Sequence, residues 1–578
     1  MSLRIVAGGA DRRFDIVYDG ARIPARAGES VAAALLAAGH VALRRAKDGS
    51  RRGIFCGMGV CQECLVTIDG VPGHRACMTA VRPGLVVASQ AYAPAVPRPD
   101  SAPDRAAPRA PLSRDVVVIG AGAAGLSAAC AAARAGASVA VLDERSEPGG
   151  QYYKQAAASL DARALDRQMA AGARLVATAR AAGAEVVSDA TAWGAFRLAD
   201  GGIEIAALVR GRSELFHARA LVLATGAYER GVPVPGWTLP GAMTTGAAQT
   251  MLRAYRTLPG RRILVAGNGP LNFQLAAELL ASGAEVAAVA ELARPFGARA
   301  AHLRMAMASP GLVRDGIGYL LRLKRRGVPV LTAHMLTRIE GDDRVRRAVL
   351  VAVTRDGHPI EGRERAFDAD VICMGYGFEP QSDLARMLGC RHGWDKRHGQ
   401  LAAVRDRAMA TSVPGVFIAG DGGGLGGAQA AAAEGTIAGI AASRASGRAI
   451  GGALAAEEAR ADQALARARS FQAALWTAFR APPIGLAIAS PDTIVCRCED
   501  VTRGELDRAF DGAAHDVGAV KRLTRAGMGR CQGRYCGPLI ARALAERSGT
   551  TPDDTWTFIS RPPAKPMRLG AVARKEFE

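Results

Sequence analysis

Eight of the eleven cysteines stand in two tight groups, one near each end of the chain. The first group has the spacing x4 and x2, followed by a later fourth thiol: Cys56, Cys61, Cys64 and Cys77. This is the plant-type spacing of a 2Fe–2S cluster. Gly57 and Gly59 suit a loop that curls around a cluster with its amides turned toward sulfur. Structural zinc is the alternative, but zinc favours paired Cys-x2-Cys knuckles and this group contains one such pair.

The second group combines a Cys-x-Cys pair with a Cys-x4-Cys pair: Cys496, Cys498, Cys531 and Cys536. The first pair places two thiolates on one side of an extended turn, and a second pair arriving at a helix N-terminus can complete a four-thiolate cage. Arg497 and Arg530 could offset its negative charge. The alternatives are a structural zinc site and two unrelated cysteine pairs. The pattern favours a second 2Fe–2S cluster over both.

A glycine-rich turn follows the apolar strand DVVVIG and opens an Ala-rich helix, which is the context that a dinucleotide-binding motif requires. Its residues are Gly120, Gly122, Ala123, Ala124 and Gly125. The glycines make the turn, admit a pyrophosphate and allow helix–strand packing, and the phosphate lies at the helix N-terminus. Glu144 is the expected ligand of the ribose hydroxyls, with Asp143 as the less favoured candidate.

Three further segments make FAD the predicted ligand of this turn. They contribute Gly150 and Gln151, then Thr225 and Gly226, and finally Gly420, Asp421 and Gln429. In flavoproteins with two dinucleotide units, the aspartate in the position of Asp421 holds the ribityl chain. The helix after it directs its positive end at the pyrimidine ring and stabilises reduced flavin.

A second dinucleotide unit begins at Ile263, with Gly267 and Gly269 in its turn and Glu291 near the ribose position. Asn272 replaces the third glycine of the motif. A side chain there is expected to push the helix away from the strand and to alter the place where the phosphate of a nucleotide would bind. Bound NAD(P), an adenine nucleotide alone and a vestigial site all stay open. Neither unit contains the paired cysteines of disulfide reductases, which disfavours thiol–disulfide chemistry.

No Ser/His/Asp, metal-hydrolase or paired-carboxylate constellation is evident, so the catalytic residues are unknown. The lone Cys130, Cys373 and Cys390 have apolar neighbours typical of buried structural thiols.

The predicted fold is α/β, with two nested Rossmann-like units between two small cluster domains. The predicted domains follow in order: a ferredoxin-like β-grasp domain over 1–91, a Pro/Ala/Arg linker over 92–113, a flavin domain over 114–258 and 369–450 with the second unit inserted at 259–368, a helical connector over 451–490, a small helical cluster domain over 491–545 and a tail over 546–578.

The formal charge of +20 is spread along an Arg- and Ala-rich chain with no basic–aromatic run, so nucleic acid is not an expected partner. No run of about 20 apolar residues and no secretory signal are evident. The prediction is a cytoplasmic protein without a membrane span, associated with a membrane only through its electron acceptor.

The segments GIFCGMGVCQECLVTIDG, IGAGAAG, PGWTLPGAMTTGAAQ, IVCRCEDVT and KRLTRAGMGRCQGRYCG carry a resemblance that covers nearly the whole chain. The chain resembles the α-type subunits of heteromeric opine and amino-acid dehydrogenases, a family that includes the opine oxidase A protein, the cyanide synthase B protein and D-hydroxyproline dehydrogenase, with sarcosine oxidase α as a relative. Its N-terminal domain looks like the small ferredoxin subunit of such complexes. The last segment resembles bacterioferritin-associated ferredoxin, but its second pair has x4 spacing instead of x2.

The resemblance implies a hetero-oligomer in which a partner flavoprotein, the β subunit of the glycine/sarcosine oxidase type, oxidises an opine, hydroxyproline, proline, glycine or sarcosine. This chain would pass the electrons through FAD and two 2Fe–2S clusters to a quinone or another acceptor, with FMN at the subunit interface in relatives. Two alternatives are a stand-alone NAD(P)H-dependent reductase and a non-enzymatic electron-transfer or cluster-carrier module.

Overall fold

The computed structural model describes residues 3–5, 12–95, 110–157, 159–160, 166–512, 514–568 and 570. The predicted linker over 92–113 therefore lies mostly outside the described residues, and a strand already begins at Leu112. Within the described residues no helix is both long and apolar enough to span a bilayer.

The N-terminal domain is a five-stranded sheet of order β2-β1-β7-β5-β6 packed against one helix. Ser30 caps this helix by accepting a hydrogen bond from the Ala33 amide. A separate two-stranded hairpin, β3–β4, leads into the first cysteine loop. The elements are β1 (Arg13–Tyr18), β2 (Ala21–Arg26), α1 (Val31–Ala37), β3 (Ala42–Arg45), β4 (Arg51–Gly53), β5 (Leu65–Ile68), β6 (Val71–Arg75) and β7 (Val86–Ser89).

The first dinucleotide unit is built on a seven-stranded sheet, whose central strands are Val- and Ile-rich because helices and a β-layer cover both faces. Strand β8 pairs in parallel with β9 on one side and β13 on the other. The elements are β8 (Leu112–Ile119), α2 (Ala123–Arg134), β9 (Val139–Leu142), α3 (Arg167–Ala181), β10 (Glu185–Val187), β11 (Ala190–Arg197), β12 (Ile203–Val209), β13 (Arg212–Leu223) and β14 (Ala227–Glu229).

The second dinucleotide unit has its own five-stranded sheet, in the order β15-β22-β16-β17-β18. Strands β15 and β22 belong to this sheet, so the structural unit extends beyond the predicted 259–368 on both sides. The elements are β15 (Ala242–Thr244), α4 (Thr245–Tyr255), β16 (Arg262–Gly267), α5 (Pro270–Ala281), β17 (Glu285–Glu291), α6 (Arg299–Ala308), α7 (Pro310–Arg325), β18 (Val330–Thr332), β19 (His334–Glu340), β20 (Arg347–Val353), β21 (Pro359–Asp368) and β22 (Val371–Gly375).

The chain then returns to the first sheet, where β26 pairs in parallel with β13, so the second unit is inserted into the first. Helix α9 packs closely on α2. Gly435 and Gly439 allow this contact, because a Cβ at these positions would lie 2.1 and 2.2 Å from carbonyl oxygens of α2. The elements are β23 (Phe378–Pro380), α8 (Asp383–Met387), β24 (His392–Asp395), β25 (Gln400–Ala403), β26 (Val416–Ile418), α9 (Gly427–Ala445) and α10 (Gly452–Ala478).

The C-terminal domain is a small helical unit with its own apolar core. Thr502 and Glu505 form a reciprocal capping box at the start of its first helix. After the last helix, the chain runs back over the first dinucleotide unit, where the Ala564 amide donates to the Trp193 carbonyl. The elements are β27 (Ile494–Cys496), β28 (Val501–Thr502), α11 (Arg503–Asp511), α12 (Val517–Thr524) and α13 (Gly537–Ser548).

Candidate functional site

The first cysteine group lies in the loop between β4 and β5, with its fourth member just after β6. All four thiols are buried, and backbone amides point at three of them. The amides of Met58 and Cys61 lie 3.5 and 3.4 Å from the Cys56 sulfur. Gly57 and Gly59 have φ of +60° and +76°, so the predicted curl of the loop is present. Such amides stabilise the negative charge of sulfur in an iron–sulfur cluster.

The four cysteines of this group form two pairs, because the Cys61 amide donates to the Cys56 sulfur and the Cys77 amide donates to the Cys64 sulfur, each at 3.4 Å. Among the described residues, no three His, Cys, Asp or Glu side chains converge on one position that could hold a metal ion. Two separate pairs fit a two-iron cluster, in which each iron takes two thiolates, better than a zinc ion with four ligands around one centre.

The second cysteine group is arranged in the same way at the start of the C-terminal domain. Cys496 ends β27, and Cys536 is the N-cap residue of α13. The thiol pairs are Cys496 with Cys536 and Cys498 with Cys531. A Cβ at Gly529 would lie 2.1 Å from the Cys498 Cβ, so the glycine-rich approach is needed for the two segments to meet.

The two cysteine loops are joined by buried ion pairs. Glu63, between Cys61 and Cys64, is fully buried, and its Oε2 lies 3.1 Å from Nη2 of Arg497 in the other loop. Arg44 approaches the other carboxylate oxygen of Glu63 at 2.6 Å. Burial opposes ionisation of Glu63, but Arg44 and then Arg497 outweigh it and lower its pKa. The sequence predicted only that Arg497, with Arg530, offsets the charge of the cluster. The ion pair of Arg497 with Glu63 also fixes one cysteine loop against the other.

Aromatic side chains also connect the two loops. The rings of Phe55 and Tyr535, which are neighbours of Cys56 and Cys536, lie 5.3 Å apart between centroids. The Arg497 guanidinium stacks 4.0 Å from the Phe55 ring and 4.6 Å from the Trp237 ring. Cysteines of both groups therefore belong to one apolar cluster, which surrounds the buried ion pairs.

A cavity of about 1480 Å³ lies along the first dinucleotide unit and extends to helices α5 and α7 of the second. It is lined by nearly all of the predicted flavin ligands: Gly120, Gly122, Ala123, Ala124, Asp143, Glu144, Gly150, Gln151, Thr225, Gly226, Gly420, Asp421 and Gln429. Gly125 is the exception, and it serves packing as expected, because a Cβ there would lie 1.7 Å from the Gly120 oxygen. Segments separated by 300 residues of sequence thus meet around one space.

The two acidic candidates for the ribose hydroxyls take different positions. Asp143 directly follows β9, and its Oδ2 accepts a hydrogen bond from the Ala121 amide in the glycine turn at 2.6 Å. Glu144 pairs with Lys565, from the C-terminal tail. Burial raises the pKa of Asp143, whereas Lys565 and Arg75 outweigh burial and lower the pKa of Glu144.

Asp421 lies at the cavity immediately before α9. Its Oδ1 accepts hydrogen bonds from the amides of Gly426 and Gly427, at 2.8 and 2.9 Å, and burial raises its pKa. The helix therefore begins beside the cavity with a fixed carboxylate at its N-terminus. This is the geometry required of a residue that positions a ligand over a helix dipole.

The turn of the second dinucleotide unit is built differently, and none of Gly267, Gly269 and Glu291 lines the cavity. Glu291 is fully buried, and its two oxygens accept from the amides of Gly269 and Ala293 at 2.9 and 2.8 Å. Pro270 opens α5 and removes one more amide donor. Asn272 does not force helix and strand apart, because its Nδ2 donates to the Gly375 carbonyl at 3.0 Å.

Four of the cavity residues that sequence reasoning missed bear directly on its chemistry or join it to the cysteine loops. Lys154 and Glu229 are buried in its wall, and burial lowers the pKa of Lys154 to about 7 and raises that of Glu229 to about 7. Met58 from the first cysteine loop and Arg534 from the second also reach the cavity. The positions of Lys154, three residues after Gln151, and Glu229, three after Gly226, were the available signals.

Comparisons with family models match three regions of the chain. Residues 114–435 match pyridine nucleotide-disulphide oxidoreductase, residues 11–92 match a 2Fe-2S iron-sulfur cluster binding domain, and residues 494–546 match a BFD-like 2Fe-2S binding domain. These matches imply FAD and two 2Fe–2S clusters, which agrees with the cavity and the paired thiols.

The chain is also similar to curated proteins. It is 35% identical to the A subunit of opine oxidase from Agrobacterium tumefaciens, over 79% of this chain and 91% of that protein. It is 33% identical to hydrogen cyanide synthase subunit HcnB of Pseudomonas aeruginosa, over 79% and 97%. It is 28% identical to the alpha subunit of sarcosine oxidase from Corynebacterium sp. (strain P-1), over 72% and 43%.

Among solved structures, L-proline dehydrogenase from P. horikoshii matches 99% of this chain and 100% of its own, with a TM-score of 0.72 and 20% identity. At that identity the match establishes a shared fold. The overall arrangement of this chain is therefore shared with a solved protein structure over nearly its whole length.

Proposed function

Because the chain belongs to the family of the opine oxidase A subunit and hydrogen cyanide synthase subunit HcnB, we propose that it is the electron-transfer subunit of a heteromeric amine or amino-acid dehydrogenase. A partner flavoprotein β subunit of the glycine/sarcosine oxidase type oxidises an opine, hydroxyproline, proline, glycine or sarcosine. This chain accepts the electrons and delivers them to a quinone or another acceptor. FAD suits this role because it accepts two electrons and releases them one at a time.

The observation that carries the proposal is that one cavity touches all three redox sites. Met58 brings the first cysteine loop to the cavity, and Arg534 brings the second. Arg145 also donates to the Gly57 carbonyl at 3.3 Å, which ties the flavin domain to the first loop. A flavin in this cavity would lie beside both cluster sites, and short distances between centres favour electron transfer.

The cavity residues receive roles in this proposal. Gly122 leaves space for the pyrophosphate, since the protein atom nearest to a Cβ there would be 3.8 Å away. Gly150 packs against Gly122, because a Cβ at Gly150 would lie 2.7 Å from the Gly122 Cα. Asp143, fixed to the glycine turn, takes the ribose in preference to Glu144, which Lys565 engages. Asp421 holds the ribityl chain at the start of α9.

The cavity is larger than the upper end of common ligand pockets, about 1000 Å³. It therefore has room for a second group beside FAD, in agreement with the expected FMN at a subunit interface. The second dinucleotide unit takes no nicotinamide nucleotide in this proposal, because Glu291 and Pro270 remove amide donors from its turn.

Arg497 and Glu63 position the two clusters relative to each other. Arg497→Gln leaves Glu63 with Arg44 but breaks the bridge between the loops, whereas Arg497→Lys retains a charge at the same place. In the reduced protein, magnetic coupling between the clusters in the EPR spectrum should weaken in Arg497→Gln and persist in part in Arg497→Lys. Unchanged coupling in both variants would show that the bridge does not set the distance between clusters.

The proposed activity is tested by co-expression with the product of the neighbouring gene, taken as the candidate flavoprotein β subunit. The purified complex is screened with opines, proline derivatives, glycine and sarcosine for dye reduction, and the two proteins are also assayed separately. We expect substrate-dependent reduction by the complex, with reduced flavin and clusters in this chain. If this chain alone oxidises an amine substrate, the division of labour is wrong.

A further inference from the structure

Large apolar side chains are exposed in one short stretch of the second dinucleotide unit. Of the fourteen large apolar residues exposed in the described part of the chain, five fall between residues 296 and 321. We name these five the apolar patch: Phe296, Leu303, Met307, Ile317 and Leu321. Leu303 and Met307 are 63% and 70% exposed on α6, so neither contributes much to the core. Leu303 and Met307 share one face of α6, and Ile317 and Leu321 share one face of α7, because residues four apart lie on the same side of a helix. Exposed apolar helix faces of this kind mark interaction surfaces.

The apolar patch borders the opening of the flavin cavity. Phe296 and Ile317 line the cavity, yet they are 53% and 52% exposed. Other residues of α7 line the cavity too, from Leu312 to Tyr319. A partner that covers Phe296 and Ile317 therefore also reaches the opening of the cavity.

Helix α7 carries three glycines, Gly311, Gly316 and Gly318, and a Cβ at any of them would meet no atom within 4 Å. Glycine destabilises a helix interior, and nothing within the chain requires it at these positions. Gly311 is exposed and does not line the cavity, and a glycine on an outer helix face allows another backbone to approach closely. A lipid surface would instead gain from large apolar side chains at these positions.

Charge around the apolar patch is basic. Arg304, Arg314, Arg322 and Lys324 are exposed on α6 and α7, and Asp315 is the acidic residue beside them. An occupant with an apolar centre and an acidic rim would match this surface.

On the basis of the proposed function, we propose that helices α6 and α7 form the docking surface for the flavoprotein β subunit, which seats on the apolar patch and closes the cavity. The exposed glycines favour a protein over a membrane, and the shared rim of patch and cavity favours the subunit that supplies electrons. Docking there would bring the partner's cofactor to the cavity mouth.

The proposal is tested with Leu303→Asp and Met307→Asp in the full holoprotein, mixed with the neighbouring-gene flavoprotein. Binding should weaken at least about tenfold for each variant, as for residues at the centre of an interface. Leu523→Asp, at a residue 64% exposed on α12, is the matched control and should bind normally. Bound flavin and iron should be unchanged in all three, because none of these side chains lines the cavity.

A second variant separates docking from folding. Gly311→Gln, at an exposed glycine of α7 that does not line the cavity, should raise or preserve the melting temperature, because glutamine favours helix over glycine, while weakening the complex. Unchanged affinity in all the α6 and α7 variants, with a complex still formed, overturns the docking surface but leaves the proposed function standing. Absence of any complex with the wild-type chain contradicts the proposed function itself.

Two other occupants are tested alongside. Sedimentation of the chain with phosphatidylglycerol vesicles, lost in Leu303→Asp, would show a membrane surface and overturn the proposal. A wild-type homodimer that Met307→Asp converts to a monomer would assign the patch to a second copy and overturn it as well.

Discussion

The two dinucleotide units share a plan and differ at the turn where a phosphate would bind. In the first unit, Asp143 accepts the amide of Ala121, one position before the Gly122 that opens α2 onto the cavity, and Ala123 follows where the second unit has a proline. In the second, Glu291 accepts the Gly269 amide, and Pro270 provides no amide. The same strand–turn–helix therefore binds a dinucleotide or only supports the fold, depending on where its amide donors are directed.

The largest expected effect is at Gly122. Its φ of −84° suits any residue, and the protein atom nearest to an added Cβ is 3.8 Å away. Gly122→Val should therefore fold but lose most of its FAD, because the side chain fills the space next to the pyrophosphate. Flavin content after purification measures this. Asn268→Ala, in the turn of the second unit, is the control and should retain flavin, and equal flavin in both variants would contradict the assignment.

The next effect concerns pH and Glu291. Burial raises its pKa in the folded protein to about 7, against 4.5 when exposed, so the folded state holds this proton more tightly. Stability should fall as pH rises from 4.5 to 7 and then level off, by about 3 kcal/mol. Glu291→Gln should remove this loss. The difference in melting temperature between Glu291→Gln and wild type should favour the variant more at pH 8 than at pH 5.5. An equal difference at both pH values would refute the prediction.

A smaller effect is expected at Asn272, which replaces the third glycine of the motif. Its side chain accepts from Thr245 Oγ1 at 2.9 Å and donates to the Gly375 carbonyl, and the residue is 1% exposed. Asn272→Ala should cost about 1–3 kcal/mol, because Thr245 is left without this acceptor in the core. Thermal unfolding measures the cost. Asn268→Ala is again the control, and equal melting temperatures would remove Asn272 from its structural role.

The smallest effect sharpens the comparison itself. Pro270→Ala restores an amide donor at the start of α5 and should raise the affinity for ADP by up to about tenfold. Calorimetric titration of the flavin-loaded protein reports this. Leu271→Ala changes no amide and should leave affinity as in wild type, and an equal gain in both variants would argue against the amide-donor explanation.

Local motifs could be predicted from the sequence because each depends on neighbouring residues. The spacing of the cysteines and the glycines of both turns is contained within short segments, so the cluster loops and the nested α/β architecture followed from them. The unit boundaries were less accurate, because β15 and β22 join the second sheet through pairing with distant strands.

The contacts between segments could not be predicted from these motifs. Glu63 and Arg497 are 434 residues apart, and Lys565 reaches Glu144 from the C-terminal tail. The choice between Asp143 and Glu144 depended on where β9 ends, and a shift of one residue at a strand end reverses side-chain direction. The expectation that the Asn272 side chain pushes the helix from the strand was wrong, because its hydrogen-bond partners, Thr245 and Gly375, come from other elements.

The most direct test of the difference between the two units is an anaerobic titration of the purified holoprotein with NADH and NADPH, followed by flavin absorbance. If only the first unit binds a dinucleotide, as proposed, neither nucleotide reduces the flavin or the clusters. Stoichiometric bleaching of the flavin by NADH or NADPH would contradict the account, because it requires a working nicotinamide site in this chain.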